Sequence, residues 1–200
     1  MTPAAKKTTA VLFLLFLLIF PKFSPWSSPI SATDDSLMHH LFVLYFFIIN
    51  QTLGIVHEAG HGVCYILPCP ELFMVANGTF FQLFFPAGIG YYYKKHGNRF
   101  AALIALFFVG FSLRYTAWYM STAHEGLHLP ASKSFLGVDA LHDFNYIFSY
   151  FHLLPYEGFI SGLTGLCAYL LMIYAVIAML KNAFVSNNDA MPAKKPPLDV

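Results

Sequence analysis

Charged side chains are scarce in this sequence. Asp, Glu, Lys and Arg make up only 10% of the 200 residues, whereas 58% are hydrophobic, with 22 Phe and 12 Tyr among them. The mean hydropathy is +0.60. This composition excludes an ordinary soluble domain and is typical of a membrane protein with several spanning segments. The net charge of only +1 offers no basic surface for nucleic acid, so we expect no nucleic-acid partner.

Cysteine is rare as well. The three cysteines, Cys64, Cys69 and Cys167, are odd in number and lie in apolar sequence. Such a set does not suggest a disulfide framework. We therefore expect Cys64 and Cys69 to be small core residues rather than a metal-binding pair.

The sequence is rich in long apolar runs, which cover residues 10–20, 37–67, 72–93, 100–120 and 158–180. About 20 apolar residues span a bilayer as a helix. We therefore predict an all-α fold, a polytopic transmembrane helical bundle with about four to five membrane-embedded helices. We expect a single membrane-embedded helical domain at 10–180, between a basic N-terminus at 1–9 and a disordered tail at 181–200.

The first run is shorter than a spanning helix. It has the length of a signal-peptide core but no clean cleavage site, so spanning, re-entry and cleavage all stay open. Pro21, Pro25 and Pro29 predict an irregular connector after it. Ser36 is a plausible N-cap for the second helix.

An HExxH motif formed by His57, Glu58 and His61 lies in the last third of the second run. Positions i and i+4 share one face of a helix, so both imidazoles can reach the same ion. Glu58 lies about a hundred degrees round the same turn. Two neutral imidazoles that hold Zn²⁺ and one carboxylate that takes a proton from water are parts of a zinc hydrolase. We predict the histidines as metal ligands and Glu58 as the general base.

The surroundings of the motif favour a functional role. A charged residue at the bilayer centre costs roughly 2.5–3.5 kcal/mol on insertion scales, and such residues are functional by default. Polar and small residues also form a continuous stripe along the second run, at Asn50, Gly54, His57, His61 and Cys64. A helix that faces only lipid has no use for such a stripe, and its glycines allow close approach of another helix.

A catalytic zinc usually has three protein ligands and one water. If the third and fourth runs both cross the membrane, the polar stretch 121–156 emerges on the side where the HExxH motif lies. That stretch contains three candidate ligands within five residues, Asp139, His142 and Asp143. The residue types alone leave the choice among them open.

The HEAGH motif in a membrane helix, followed by a hydrophobic hairpin and a later Asp, resembles the site-2 protease family of intramembrane zinc metalloproteases. The chain is similar to small membrane proteins of that superfamily over about residues 41–154. The further matching positions are Gly78, Thr79, Gln82, Pro86, His142, Asp143 and Phe144. Where site-2 proteases have Leu-Asp-Gly, this chain has Leu-His-Asp-Phe. The resemblance thus implies Asp143 as the third ligand, with His142 as the alternative.

The resemblance also implies a reaction, hydrolysis of a peptide bond within or beside the bilayer. Zn²⁺, the expected cofactor, would lower the pKa of a water towards about 7, and Glu58 would pass its proton to the leaving amine. Asn77 and Gln82 are candidates for holding the substrate backbone or the developing oxyanion. The expected partners are a membrane-protein or peptide substrate and the lipid bilayer, and the oligomeric state stays open.

Two other classes of function remain. A membrane di-iron oxygenase, such as a desaturase or hydroxylase, uses several histidine boxes. This chain has nine histidines and a second HExxH at His124, Glu125 and His128. That box lies in a loop that ends at Pro130, and no HxxHH occurs, so we expect an interfacial pair of histidines there. The other class is non-catalytic, either a protease-like scaffold or a helix pair that carries haem.

Basic residues predict the orientation. The positive-inside rule places the basic residues that flank the runs in the cytoplasm, namely Lys94, Lys95, Arg99, Lys181, Lys194 and Lys195. The HExxH end of the second run then faces the opposite side, which requires either an external N-terminus or a first segment that does not cross. A first segment that does not cross also keeps Lys6, Lys7 and Lys22 inside, and we favour it. We expect an integral multi-pass protein of the bacterial inner (plasma) membrane.

Overall fold

The computed structural model describes residues 1–23, 37–129 and 140–185. These residues contain six α-helices: α1 (Pro3–Phe23), α2 (Leu37–Ile66), α3 (Glu71–Lys95), α4 (Arg99–Met120), α5 (Asp143–Tyr150) and α6 (Glu157–Phe184). The two-residue strands β1 (His128–Leu129) and β2 (Ala140–Leu141) pair antiparallel, with His128 opposite Leu141. Single 3-10 turns lie at Ala123–Glu125 and Leu154–Tyr156. The predicted all-α helical bundle is confirmed.

Four segments of the described chain are long and apolar enough to cross a membrane, at Pro3–Pro21, Glu71–Lys95, Arg99–Glu125 and Leu154–Phe184. Many of their large apolar side chains point outward and are exposed, among them Leu18, Phe84 and Leu170. An apolar surface of this extent is unusual on a soluble monomer. The four helices therefore indicate a membrane protein.

Helix α4 is the centre of the bundle, since it packs along both α3 and α6, while α1 packs on α6 and α2 on α3. Three phenylalanines of α4 are almost fully buried against α1 and α6, at positions Phe100, Phe107 and Phe111. Close packing of α6 requires Gly110, because a Cβ there would lie 2.8 Å from Met172 Cγ. In membranes, helices associate through van der Waals packing and not through exclusion of water. Small residues where two helices cross let their backbones come close enough for that packing.

The connection between α3 and α4 is only three residues long, 96–98. Gly97 has a φ of +76°, which glycine adopts without steric penalty. Asn98 then caps α4, because its Oδ1 accepts a hydrogen bond from the backbone N–H of Ala101 at 3.1 Å. Such a short connection makes α3 and α4 antiparallel neighbours. The far end of α4 therefore lies at the same end of the bundle as the start of α3.

At that end the chain folds back over the bundle. Helix α5 packs through Phe144 and Phe148 against Tyr119, at the end of α4, and Ala123, just beyond it. It also contacts α3. This packing brings the first residue of α5, Asp143, next to the C-terminal half of α2.

The structure contradicts the expectation for the cysteines. Cys64 and Cys69 form a disulfide. Pro68 ends α2 and turns the chain, so the two Cα atoms lie 5.2 Å apart, which is within disulfide reach. An odd cysteine count therefore did not exclude a bridge. The remaining cysteine, Cys167, is free and exposed.

The helix bounds differ from the expected segments at both ends. Helix α1 begins at Pro3 and continues through Pro21 to Phe23, and α6 continues to Phe184. Pro21 removes one hydrogen bond, the one to the Leu17 carbonyl in the last full turn of α1, and the helix ends two residues later. The predicted cap Ser36, the connector prolines Pro25 and Pro29, the candidate ligand Asp139 and residues 186–200 of the expected tail lie outside the described residues.

Candidate metal centre

Helix α2 presents the HExxH motif towards α3. The inward stripe is visible in the burial pattern, since Gly54, His57 and Cys64 are buried and His61 is half-buried, whereas Ile55 is 61% exposed. This is the 3-4 spacing of one helical face. The two imidazoles lie one turn apart with ring centroids at 4.8 Å. Helical geometry alone thus brings both rings to the same point beside α3.

Three potential ligand atoms meet at that point: His57 Nε2, His61 Nε2 and Asp143 Oδ2. The two nitrogens are 3.1 Å apart, and Oδ2 lies 2.8 Å from His57 Nε2 and 3.3 Å from His61 Nε2. Two ligand atoms of a tetrahedral zinc site are separated by about 3.3 Å, since each bond is roughly 2.0–2.1 Å. The three separations therefore fit one face of such a site.

The outer nitrogens of both imidazoles have acceptors. His57 Nδ1 lies 3.3 Å from Gln82 Oε1, and His61 Nδ1 lies 2.8 Å from the carbonyl oxygen of Met74. Both acceptors require a proton on Nδ1, which leaves a lone pair on each Nε2. Two lone pairs and a carboxylate oxygen in contact repel one another unless a proton or a metal ion lies among them. The donor set therefore fits a bound metal ion.

Asp143 owes its position to the start of α5. Its backbone N–H donates to the Tyr119 hydroxyl at 3.2 Å, and the preceding His142 caps the helix. Burial by itself would raise the pKa of Asp143, but its hydrogen bonds with His57 and His61 outweigh burial, so the pKa lies below its ordinary value. The carboxyl group is thus ionised, as a metal ligand must be.

His142, the alternative third ligand, lies outside this cluster. Its ring stacks on Tyr119 with centroids 4.4 Å apart, Nε2 lies 3.0 Å from the Thr122 hydroxyl, and Nδ1 accepts from the backbone N–H of Asn145. Burial lowers the pKa of His142, so the ring is neutral. Both ring nitrogens thus hold the start of α5 and Thr122, and the geometry favours Asp143 as the third ligand.

Gly78 faces the three ligand atoms from α3. A Cβ on this glycine would lie 2.5 Å from His61 Nε2 and 2.7 Å from His57 Nε2, closer than any side chain tolerates. The missing side chain leaves space where an ion would lie. The sequence motif includes Gly78 but gives no reason for a glycine there. Its signal was a glycine in mid-helix, next to a polar residue in an apolar run.

Asn77 holds α2 and α3 together. Its Nδ2 donates to the Gly60 carbonyl oxygen at 2.6 Å and to Cys64 Sγ at 3.6 Å. A Cβ on Gly60 would lie 2.4 Å from the Asn77 carbonyl oxygen, so the backbones touch here. The Asn77 amino group is therefore used within the protein, and a contact of Asn77 with a substrate stays a prediction.

Gln82 links the site to α4. Besides accepting from His57, it donates through Nε2 to the Ser112 carbonyl oxygen at 3.4 Å, and its side chain is buried. The Ser112 hydroxyl donates in return to the Gln82 carbonyl oxygen at 3.0 Å. That carbonyl has no helical donor, because the residue four positions on is Pro86. Gln82 thus orients His57, and its contact with a substrate stays a prediction.

Glu58 follows His57 on α2 and lies beside the cluster. It is half-buried, and its charge acts on the His61 imidazole. The His61 side chain is 15% exposed, whereas that of His57 is 2% exposed and that of Asp143 is 8% exposed. The cluster is therefore most open at His61.

The second HExxH does not join this site. The His124 side chain is 63% exposed and pairs through Nδ1 with Glu157 at the start of α6. Glu125 ends a 3-10 turn and His128 belongs to β1, so the segment is not one helix and both are exposed. Within the described ranges, the cluster of His57, His61 and Asp143 is the only His, Cys, Asp or Glu group compact enough to share an ion.

Comparison of the chain with protein-family models, curated proteins and solved structures found no match. The family resemblance therefore rests on the motif residues alone. The site itself consists of two imidazoles and one carboxylate with the Glu58 carboxyl group beside them, in a helical membrane protein.

Proposed function

We propose that this chain is an intramembrane zinc metalloprotease, which cleaves a peptide bond of a membrane protein or peptide within or beside the bilayer. One observation carries the proposal: His57 Nε2, His61 Nε2 and Asp143 Oδ2 converge around a point that Gly78 leaves empty. Three protein ligands with one side open are the arrangement of catalytic rather than structural zinc.

The donor set alone does not decide the chemistry. Two histidines and one carboxylate also suit Fe(II) in oxygenases. Glu58 favours hydrolysis, because a free carboxylate beside the ligands supplies the general base that a hydrolase needs. The described residues place no second cluster nearby for a second iron.

In the proposed reaction, a bound zinc ion would act as a Lewis acid that lowers the pKa of a water. Glu58 would accept the proton and return it to the leaving amine. Gln82 and the Met74 carbonyl hold the two imidazoles in the ligating orientation. A substrate helix must unwind locally before it reaches the open side, since an intact helix shields its amide bonds.

The charge distribution supports a multi-pass protein with a defined orientation. Lys6 lies over the Phe100 ring and Lys7 over the Phe184 ring, so the start of α1 is at the same end as the α3–α4 connection. The Cys64–Cys69 disulfide lies at the metal end, and disulfides persist on oxidising sides of membranes. We place the basic end in the cytoplasm and the metal end towards the periplasm of the bacterial inner membrane.

The second HExxH supplies a matched control for the test. We expect purified wild-type protein, Glu58→Gln and Glu125→Gln each to contain one zinc per chain by elemental analysis. New membrane-protein termini, mapped by mass spectrometry in expressing cells, should appear with wild-type and Glu125→Gln but not with Glu58→Gln. Cleavage that survives Glu58→Gln would end the proposal, and two irons per chain would support the oxygenase instead.

The same preparation tests the third ligand. Asp143→Asn should lose zinc, because it removes the charged oxygen from the cluster. His142→Asn should keep zinc, since asparagine can still cap α5. The reverse result would assign the ligand to His142.

A further inference from the structure

A large groove lies at the end of the bundle opposite the metal centre. It runs between α3, α4 and α6 and has a volume of about 1010 Å³. Its wall is apolar, with Ala87, Leu103, Leu106, Val109 and Ala178 among the lining residues. Its volume is at the upper end of the range of small-molecule sites, about 300–1,000 Å³. We call this feature the basic groove, for the cations at its mouth.

Three cations surround the mouth: Lys94 from the end of α3, Arg99 from the start of α4 and Lys181 from the end of α6. They come from three different helices, so the fold and not a local run of sequence collects them. Among the described residues, none that lines the groove is acidic. The described chain has five acidic side chains, and none of them lies at the α3–α4 connection or at the end of α6. They are Glu58, Glu71, Glu125, Asp143 and Glu157. Charge complementarity therefore calls for an anion.

The wall of the groove makes a small water-soluble anion a poor fit. It is formed by three of the four segments that can cross a membrane. Tyr91 and Tyr174, which also line it, are 68% and 62% exposed, and tyrosine is typical of the membrane–water interface. The groove thus begins with cations at the interface and continues with apolar side chains towards the hydrocarbon.

We propose that the basic groove binds an anionic phospholipid of the cytoplasmic leaflet. The phosphate lies among Lys94, Arg99 and Lys181, and an acyl chain lies along the apolar wall between α4 and α6. Basic pockets between transmembrane helices on the cytoplasmic side bind anionic headgroups in this way. A bound lipid would fasten α6 to the α3–α4 hairpin, which carries Gln82 and Gly78 to the metal centre.

The test uses full-length protein in a neutral detergent, with native mass spectrometry to count retained lipid. Phosphatidylglycerol is the probe, phosphatidylcholine the zwitterionic comparison and inorganic phosphate the free anion. We expect the protein to retain phosphatidylglycerol and to melt at a higher temperature with it. Equal retention of phosphatidylcholine would overturn the proposal, because it would show that the cations do not select the lipid. Equal protection by inorganic phosphate would also overturn it, because it would show that the apolar wall is not needed for binding.

Two kinds of variant separate the mouth from the wall. Arg99→Gln with Lys181→Gln should weaken phosphatidylglycerol binding on the order of 30-fold, from two lost cations near the surface. Ala178→Phe should abolish retention by filling the groove while all the cations remain. The matched control is Lys95→Gln, an exposed cation at the same end that does not line the groove. An equal loss of phosphatidylglycerol binding in Lys95→Gln would show that the lipid responds to the general surface charge, and it would refute the site.

Each variant keeps an internal check on folding. None of the four varied residues contacts the cluster of His57, His61 and Asp143, so zinc content should stay at the wild-type level in every variant. The pair Arg99→Lys and Lys181→Arg preserves charge and should retain the lipid even if the neutral pair folds poorly. Loss of lipid in the charge-preserving pair would also count against the proposal.

Discussion

At the scale of single residues, the metal centre depends as much on a missing side chain as on the ligands. His57, His61 and Asp143 bring three electron-rich atoms together, and their outer hydrogen bonds hold them there. Gly78 keeps the space among them open. A Cβ here would lie against Nε2 of both imidazoles, where a bound ion would lie, so the proposed metal site requires a glycine at this position.

Gly78→Ala should therefore remove the metal without unfolding the protein. The new methyl group would lie 2.5 Å from His61 Nε2, and zinc per chain should fall to near zero by elemental analysis. The helical circular-dichroism signal should be retained, because alanine is the better helix former by about 1 kcal/mol.

Gly88→Ala on the same helix is the control for that experiment. A Cβ at Gly88 meets nothing within 4 Å, so zinc content should be unchanged and thermal stability equal or slightly higher. If Gly78→Ala retained stoichiometric zinc, the ion would have to lie elsewhere than at the histidine cluster.

At the scale of helices, α3 is the element that organises the site. It supplies Gly78, the acceptors Met74 and Gln82, and the Asn77 contact to α2. Pro86 would normally weaken such a helix. Here Ser112 of α4 provides the hydrogen bond that Pro86 cannot, so the proline becomes part of the α3–α4 contact that positions Gln82.

Ser112→Ala should destabilise the protein because it leaves the buried Gln82 carbonyl oxygen without a donor, a loss of about 1–3 kcal/mol. In a Pro86→Ala background the same change should have less than about half that effect, since an alanine at this position restores the helical N–H donor. Thermal unfolding of the four proteins in one detergent measures the difference. Equal losses in both backgrounds would show that Ser112 stabilises the protein by another contact.

At the scale of the whole molecule, the two ends of the bundle differ in charge and chemistry. One end of the bundle carries the basic residues Lys6, Lys7, Lys94, Lys95, Arg99 and Lys181, and the disulfide and the candidate metal cluster lie towards the other. This separation agrees with both the positive-inside rule and the oxidising side that a disulfide needs. The basic groove and the metal centre would then face different compartments.

Cysteine labelling tests this orientation in a Cys167→Ala background. His96→Cys should react with a membrane-impermeant maleimide only from the cytoplasmic side. Leu127→Cys, at the opposite end of α4, should react only from the other side. Cys64 and Cys69 should react only after reduction, because they form a disulfide. Labelling of both introduced cysteines from one side would contradict a full crossing by α4.

Much of this architecture is determined by the sequence alone. Apolar runs and the prolines that follow them predicted the all-α bundle and most helix ends, because helix length in a bilayer follows directly from hydrophobicity. The i, i+4 spacing placed His57 and His61 on one face for the same local reason. Two successive crossings by the third and fourth runs return the chain to the side of the HExxH motif, which predicted that Asp143 could reach the two histidines.

Only the tertiary structure decided which residues meet. Asp143 rather than His142 reaches the histidines because Tyr119 and Thr122 hold the start of α5 and the His142 ring. Gln82 serves His57, and Cys64 reaches Cys69, through packing that no spacing rule describes. Local patterns determine faces and lengths of helices, whereas the direction of a side chain across an interface depends on every residue packed against it.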